Sequence, residues 1–398
     1  MSDMPNPSHS DFDPLAPETF DSPYVEYAAL RKQCPVAHSD AWGGFWALLS
    51  YDDVRQAATD SETFITSVQN VVPKVAFTGR RPPLHLDPPE HTPYRAALNP
   101  LFGQARMEAL EPAIRRFTVR LLEPLLARGT GDICDDLSSQ LPIQVFADWM
   151  NIRDDQADAL RATGRAYNVA VQSNMDEVVK SASLELYEFA RDIVAERKAR
   201  PLDPAMDPTS ALLAARHKGE PLPDAMIIAT VRQVLVVGII APTVLIGSFA
   251  VHLARDQALQ EKLRRDPALI PAAMEELLRL YTPYRGFART VTCPVERGGR
   301  TIQPGEPIAL VYASANRDEA KFPDPDQFII DRPNIGEHLG FGRGPHNCPG
   351  APLGRLTLRV VLEELLGRTS RFELNGPITP TRFPEIGALS VPVKLWPA

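Results

Sequence analysis

The chain has 398 residues, of which 44% are hydrophobic and 23% charged, with a formal net charge of −8. This composition is typical of a soluble globular protein, and the negative balance argues against a nucleic-acid-binding protein. The four cysteines, Cys34, Cys134, Cys293 and Cys348, are widely spaced and form no CxxC pair. They therefore indicate neither a disulfide framework nor a cysteine-based zinc site, and they suit a reducing cytoplasm.

The N-terminal segment, MSDMPNPSHSDFDPLAPETF, is polar and acidic. It lacks the basic start and the apolar run of a signal peptide. We expect residues 1–20 to form a flexible N-terminal segment and residues 21–398 to form one domain.

Helical patterns, with apolar residues three to four positions apart, predominate along the chain. They cover residues 24–33, 51–60, 104–129, 175–200, 266–281 and 351–368. Short strand patterns occur at residues 44–50, 289–295, 307–315 and 389–397. The sequence thus predicts a mainly α fold with small β-sheets at its margins. It contains no Gly-rich strand-to-helix turn that would predict a dinucleotide site.

One apolar run, residues 234–251, is long enough to be a candidate membrane span. Its interior contains Pro242, Thr243 and Ser248, and the rest of the chain has a soluble character. A helix that is hydrophobic on all sides can instead be buried inside a large protein. We therefore expect this run to be a helix buried through the middle of the domain.

The stretch FGRGPHNCPG, residues 341–350, places Cys348 in a loop with three glycines, just before a predicted helix. A helix N-terminus favours a thiolate and lowers its pKa, and glycines let the backbone pass close to a flat partner. A single thiolate, with no other cysteine or histidine at ligand spacing, indicates haem iron, because the porphyrin supplies the other four ligands. The loop composition leaves one alternative, a small buried cysteine in a Gly/Pro loop.

The same stretch resembles the haem-binding loop of the cytochrome P450 family, Phe-Gly-x-Gly-x-His-x-Cys-x-Gly. The matching residues are Phe341, Gly342, Gly344, His346, Cys348 and Gly350. The resemblance extends from about residue 20 to the end of the chain. It implies the single-domain cytochrome P450 fold and a haem b whose axial iron ligand is the Cys348 thiolate.

The resemblance also assigns roles to residues outside the loop. It implies that four basic side chains hold the haem propionates: His91, Arg95, Arg289 and His346. It further implies a structural ion-pair network of Glu276, Arg279 and Arg332. Taken alone, Glu276 and Arg279 could equally be a solvated pair on one helix face.

The long apolar helix departs from the family pattern, Ala-Gly-x-(Asp/Glu)-Thr, whose acid and hydroxyl deliver protons during oxygen activation. In VGIIAPT, Ile240 falls on the acid and Ala241 on the alcohol, while Pro242 falls on a second threonine. A shifted register would instead make Thr243 the usual threonine. We expect Gly238, Ala241 and Thr243 to line the oxygen side of the haem.

Without the acid–alcohol pair, protons need another route. A substrate hydroxyl or carboxylate could organise water, or water could enter where Pro242 removes a backbone donor. Alternatively, the oxidant could be hydrogen peroxide, which would make the protein a peroxygenase on the same scaffold. A non-catalytic haem-binding sensor is the alternative from a different functional class.

The resemblance places mainly apolar residues around the substrate: Val72, Phe77, Val237, Arg285 and Phe287. Arg285 is the charged exception, and we expect it to pair with the carboxylate of an acidic, aromatic substrate. The alternative is that Arg285 reaches a haem propionate or solvent.

The resemblance implies an external electron donor, of ferredoxin or flavodoxin type with its reductase. Four arginines are predicted to form a basic docking patch for it: Arg106, Arg115, Arg116 and Arg355. Scattered solvated arginines are the alternative. The sequence therefore predicts a monomeric, cytoplasmic haem-thiolate monooxygenase that inserts one oxygen atom from O2 into a small organic molecule by hydroxylation or O-dealkylation.

Overall fold

The computed structural model describes residues 10–74, 79–173 and 175–398, so the predicted substrate residue Phe77 lies outside the described residues. The helices within these ranges are α1 (Ser22–Gln33), α2 (Tyr51–Thr59), α3 (Thr92–Leu98), α4 (Gln104–Arg128), α5 (Leu141–Trp149), α6 (Asp154–Gln172), α7 (Asp176–Ala199), α8 (Pro208–Ala214), α9 (Asp224–Arg255), α10 (Gln257–Arg265), α11 (Ile270–Leu280), α12 (Tyr312–Ala315) and α13 (Ala351–Arg368). The strands are β1 (Val36–Ser39), β2 (Phe45–Leu48), β3 (Phe64–Ile65), β4 (Thr130–Asp132), β5 (Arg216–His217), β6 (Glu220–Pro221), β7 (Phe287–Val291), β8 (Val295–Arg297), β9 (Arg300–Ile302), β10 (Pro307–Leu310), β11 (Thr369–Leu374), β12 (Thr379–Pro380), β13 (Ala388–Ser390) and β14 (Pro392–Pro397).

The largest sheet has the strand order β1-β2-β10-β7-β3. Strand β10 runs parallel to β2 and antiparallel to β7, with Ala309 opposite both Ala47 and Ala288. The strand predicted over residues 307–315 ends early, at Leu310. There the Ser314 hydroxyl donates to the Leu49 carbonyl, and the chain turns into the short helix α12.

The predicted mainly α fold with small sheets is confirmed, and α13 has the bounds that the sequence pattern predicted. Helix α9 is the central element and packs against α5, α7 and α13. Among the described residues it is the one helix long and apolar enough to cross a membrane, yet 83% of its most apolar window is buried inside the protein. It is therefore a core helix, because its apolar surface is already covered by protein.

The prediction of a flexible segment over residues 1–20 is wrong for residues 10–20. Phe12 and Phe20 are buried, and the Phe12 ring meets the Phe45 ring edge-on at 5.8 Å. Asp11 pairs with Arg300, whose Nη2 donates to the carboxylate at 3.0 Å. Apolar rings and a carboxylate thus fasten this segment to the domain, and the composition alone did not reveal these distant partners.

Candidate active site

The Cys348 loop packs against the end of α2 and leads directly into the N-terminus of α13. Gly342 and Gly344 have φ values of +70° and +72°, a backbone conformation that favours glycine. A Cβ at Gly344 would lie 2.4 Å from the Ala58 carbonyl oxygen at the end of α2. The second glycine is therefore required both by the turn and by the close approach of α2.

Contacts with Phe341 hold Cys348 at the start of α13. The Cys348 amide donates to the Phe341 carbonyl at 2.8 Å, and the Arg355 guanidinium lies 4.5 Å from the centre of the Phe341 ring. Burial raises the pKa of the Cys348 thiol, and this outweighs the lowering by the Gly350 amide, Arg95 and Arg355. The Gly350 amide at the helix N-terminus thus lowers this pKa as expected, but burial has the larger effect. A positive partner such as a metal ion would favour the thiolate form.

Basic side chains from separate segments surround the same loop. His91 precedes α3 and its ring centre lies 4.6 Å from that of His346. Arg95 on α3 donates to the Asn347 carbonyl at 2.6 Å and to its side-chain oxygen at 2.9 Å. Arg289 on β7 is buried and donates to the Ala288 carbonyl at 2.9 Å.

His91 is buried, and in the described part of the chain one of its two ring nitrogens lacks a hydrogen-bond partner. Within residues 10–74, 79–173 and 175–398, its Nε2 atom has no hydrogen-bond partner. Burial, with the charges of His346 and Arg95, lowers the pKa of His91 to about 4. Buried polar atoms normally have partners, so this orphaned atom fits a bound group that is not part of the chain. The Cys348 thiol and the basic side chains around its loop match what haem requires. Haem needs one ligand from the protein for its iron and positively charged or hydrogen-bonding partners for its two propionates.

Asp87 is a site residue that the sequence reasoning missed. It accepts hydrogen bonds from the Thr66 and Ser67 amides at 2.9 and 3.0 Å, and its Oδ1 lies 3.5 Å from His346 Nε2. Burial raises the pKa of Asp87, but hydrogen bonds from His346 and from these two residues outweigh it and hold the pKa well below its usual range. Asp87 therefore orients the His346 ring. The available signal was weak: an acid four residues before His91, in a proline-rich segment.

The structure brings Glu276, Arg279 and Arg332 together in the interior. Arg279 on α11 donates to Glu276 from Nε at 2.9 Å and from Nη2 at 2.7 Å, and Arg332 Nε donates to the same carboxylate at 3.0 Å. All three side chains are buried, so this is not a solvated helix pair. Arg279 also donates to the carbonyls of Asn316 and Pro325, which ties α11 to the segment preceding the Cys348 loop.

Known proteins resemble this chain in sequence and fold over most of its length. The family model described as Cytochrome P450 matches residues 166–394. A curated relative from Saccharopolyspora erythraea, cytochrome P450 107B1, is 33% identical over 357 residues, which cover 86% of this chain and 86% of the relative. This chain belongs to the cytochrome P450 family. A second relative of this P450, CYP199A2 from Rhodopseudomonas palustris, is 32% identical, and the aligned region covers 98% of this chain and 95% of the relative. The solved structure of CYP109Q5 from Chondromyces apiculatus superposes with a TM-score of 0.87 at 27% identity, over 98% of this chain and 99% of that one.

Family membership fixes the class of chemistry. This cytochrome P450 is a monooxygenase, an oxidoreductase that binds haem b through a cysteine thiolate. The alternative of a non-catalytic haem sensor is therefore set aside.

A cavity of about 510 Å³ lies against the middle of α9. Of the predicted substrate residues, Val237 and Phe287 line it, and the Val237 side chain is 46% exposed there. Val72 does not line the cavity: it is buried and its amide donates to the Gly286 carbonyl at 2.9 Å, while its neighbours Val71 and Pro73 form the wall.

Arg285 does not face the substrate cavity, which corrects its predicted role as a substrate anchor. Its Nη1 donates to Glu18 at 2.8 Å, and its Nε donates to the Glu385 carbonyl at 2.8 Å. The side chain is buried, and its guanidinium lies 5.5 Å from the Phe383 ring. Arg285 therefore fastens the N-terminal segment, and its charge is already compensated.

Two of the three residues predicted on the oxygen side of α9 also point elsewhere. A Cβ at Gly238 would lie 1.9 Å from the Phe146 ring, so Gly238 faces α5. The Thr243 hydroxyl lies 2.8 Å from the carbonyl oxygens of both Ile239 and Ser138, so its single proton is donated to the backbone. Ala241 is not among the residues that line the cavity, but it is half-buried and, one turn after Val237, lies on the same face of α9.

Carboxylates largely neutralise the predicted basic docking patch. Arg355 donates to Glu275 at 2.6 and 3.0 Å. Arg115 pairs with three carboxylates: Glu111, Glu363 and Glu364. Two of the four predicted arginines are therefore paired with carboxylates, which reduces the positive charge of the predicted docking patch, and the patch stays a prediction.

Proposed function

We propose that this P450 inserts one oxygen atom from O2 into a small, largely apolar organic molecule, by hydroxylation or O-dealkylation. An external ferredoxin- or flavodoxin-type donor supplies the electrons, and the protein acts as a cytoplasmic monomer. The observation that carries the proposal is the cavity against α9, whose volume of about 510 Å³ lies within the ordinary range for small-ligand sites. A relative from Micromonospora griseorubida, 32% identical to this chain, is named a hydroxylase/epoxidase, which supports the same class of reaction.

The cavity suits an aromatic substrate. Its wall includes five aromatic side chains: Trp42, Tyr167, Tyr284, Phe287 and Phe383. Offset and edge-on contacts with such rings favour planar ligands. Val237 and Ile240 add apolar surface from α9, and this surface keeps water away from the reacting carbon.

In this proposal the residues in and around the Cys348 loop hold the cofactor. The Cys348 thiolate would bind the haem iron, and the haem would supply oxygen activation, helped by electron density from the thiolate. His91, Arg95, Arg289 and His346 are proposed to hold the propionates; His91 Nε2, which has no partner among the described residues, would donate in its Nε2–H tautomer. Asp87 fixes the orientation of His346.

The test is turnover under ¹⁸O2 with a surrogate ferredoxin, its reductase and NADH. In a hydroxylation one ¹⁸O atom should enter the product, whereas in an O-dealkylation it should leave in the released aldehyde while the phenol or alcohol keeps its own oxygen. Omitting the ferredoxin should abolish product formation in both cases. A hydroxylated product whose new oxygen comes from water, or an undiminished rate without ferredoxin, would contradict the proposal. Size-exclusion chromatography of the holoenzyme tests the monomeric state.

A hydrogen-peroxide-dependent peroxygenase is the second candidate, and the cavity face of α9 favours it. Ile240 and Ala241 provide neither an acid nor a hydroxyl, and the Thr243 proton is donated to the backbone. Hydrogen peroxide brings both protons with it, so it would not need these donors. Faster turnover with hydrogen peroxide alone than with the ferredoxin system would select this candidate.

A further inference from the structure

The cavity end formed by the N-terminal half of α9 contains a buried arginine that pairs with no carboxylate among the described residues. Arg232 is fully buried on α9, with its guanidinium 5.4 Å from the Tyr167 ring and 5.7 Å from the Tyr187 ring. The sequence reasoning overlooked it, because it lies two residues before the apolar run that suggested a purely hydrophobic helix.

Most of the hydrogen-bonding capacity of Arg232 is unused. Its Nη2 donates to the Ser183 hydroxyl at 2.7 Å. In the part of the chain that the structure describes, Nε and Nη1 have no hydrogen-bond partner, and no carboxylate pairs with this arginine. A guanidinium carries five N–H donors and stays charged, so burial without an anion is costly. An anionic ligand would remove that cost.

Other cationic side chains line the same cavity. Arg81, which is buried, and Lys74 belong to its wall together with Arg232. Burial, followed by the charges of Arg81 and Arg232, lowers the pKa of His85 to about 4. The cavity wall also carries two carboxylates: Asp176 is exposed at the start of α7, and Glu385 lies beside Tyr284.

We propose that Arg232, assisted by Arg81, binds the carboxylate of the substrate, so that this P450 oxidises a small aromatic acid. The proposal rests on the proposed function and names its substrate class. It assigns to Arg232 the anchoring role that the sequence suggested for Arg285. A guanidinium matches a carboxylate in geometry and charge, and the aromatic wall covers the ring that carries it.

The anchor also predicts which carbon reacts. Arg232 precedes Ala241 by nine residues, or roughly 13 Å along the helix at 1.5 Å per residue. A substrate held by its carboxylate at Arg232 therefore extends along α9 past Val237 towards Ala241. The oxidised carbon is the one farthest from the carboxylate, so a para substituent reacts and an ortho substituent does not.

Ligand titrations of the ferric holoenzyme, followed by the change in haem spin state, test the anchor directly. The probes are 4-methylbenzoate and its uncharged isostere 4-methylbenzamide. The wild-type protein should bind the carboxylate roughly ten- to a hundredfold more tightly, as expected for hydrogen bonds to a charged group. In Arg232→Met the carboxylate affinity should fall to that of the amide, with the amide affinity unchanged. Equal binding of the two probes by the wild type, or a parallel loss of both in the variant, would overturn the proposal.

Two further variants keep the test decisive. Arg80→Gln changes an exposed neighbouring arginine and should leave both affinities unchanged. Arg81→Gln should weaken carboxylate binding at least severalfold and spare the amide, and it decides the question if Arg232→Met yields no folded haem protein. An Arg81→Gln protein that binds both probes as the wild type does would then overturn the proposal.

The reduced carbonyl spectrum of each variant reports an intact thiolate-bound haem. Titration needs neither oxidant nor electron donor, so a failed anchor leaves the proposed oxygen insertion untouched. The opposite result, selective carboxylate binding without ¹⁸O-labelled product, would count against the proposed function alone.

Discussion

The Cys348 side and the cavity side of the molecule differ in how their buried charged groups are compensated. On the Cys348 side, charged groups have partners within the protein: Glu276 binds two arginines, and Arg95 donates three hydrogen bonds. On the cavity side, Arg232 is equally buried, yet its Nε and Nη1 have no hydrogen-bond partner among the described residues. The first side is held together mainly by contacts within the chain, with His91 Nε2 as an exception among the described residues. The anchor that we propose therefore lies where protein partners of a buried charge are missing.

The largest effect should come from the cofactor side. Replacing Cys348 by serine removes the soft sulfur ligand, so the reduced carbonyl adduct should lose its red-shifted absorption and turnover should be abolished. Cys293→Ser is the matched control, because Cys293 is exposed and should leave both properties unchanged. Retention of the red-shifted absorption in Cys348→Ser would show that another residue is the ligand.

The next effect concerns the buried ion-pair network. Arg279→Met leaves the Glu276 carboxylate in the interior with Arg332 as its one remaining charged partner, so the free energy of unfolding should fall by about 3–5 kcal/mol. Urea denaturation followed by circular dichroism measures it. Arg265→Met, at an exposed position on α10, should change stability by less than about 0.5 kcal/mol. Equal small effects of the two variants would mean that the pair behaves as a solvated one.

The sequence revealed most of what is fixed locally and little of what depends on distant partners. The Cys348 loop was recognisable because it resembles the family's haem-binding loop, two of whose glycines take positive φ values here, and α13 because its apolar spacing is regular. The partner of Arg285 is Glu18, 267 residues away, and nothing in the local pattern indicates it. Arg232 was overlooked for a similar reason, since its importance lies in the partners that it lacks in three dimensions.

A smaller effect should follow from packing behind α9. Gly238→Ala places a methyl group against the Phe146 ring, and overpacking of this kind costs about 1–3 kcal/mol. Gly367→Ala is the matched control, because this exposed glycine of α13 has no atom within 4 Å of the added Cβ. It should be neutral or stabilising by up to about 1 kcal/mol. Since Gly238 faces away from the cavity, the affinity for 4-methylbenzamide should not change, whereas a glycine on the oxygen side would alter it.

The smallest effect concerns Thr243 on α9. It distinguishes a structural role of the Thr243 hydroxyl from a role in proton delivery. Thr243→Val removes a hydroxyl that binds backbone carbonyls, so stability should fall by about 1 kcal/mol. The fraction of NADH electrons recovered in product should stay the same, because this hydroxyl points at Ser138 and not into the cavity. Ala241→Ser is the informative partner: it adds a hydroxyl on the cavity face, one turn after Val237, and should raise that fraction. If Thr243→Val instead diverts electrons to hydrogen peroxide, Thr243 is the family's usual threonine in a shifted register, and the cavity face of α9 contains its own proton donor after all.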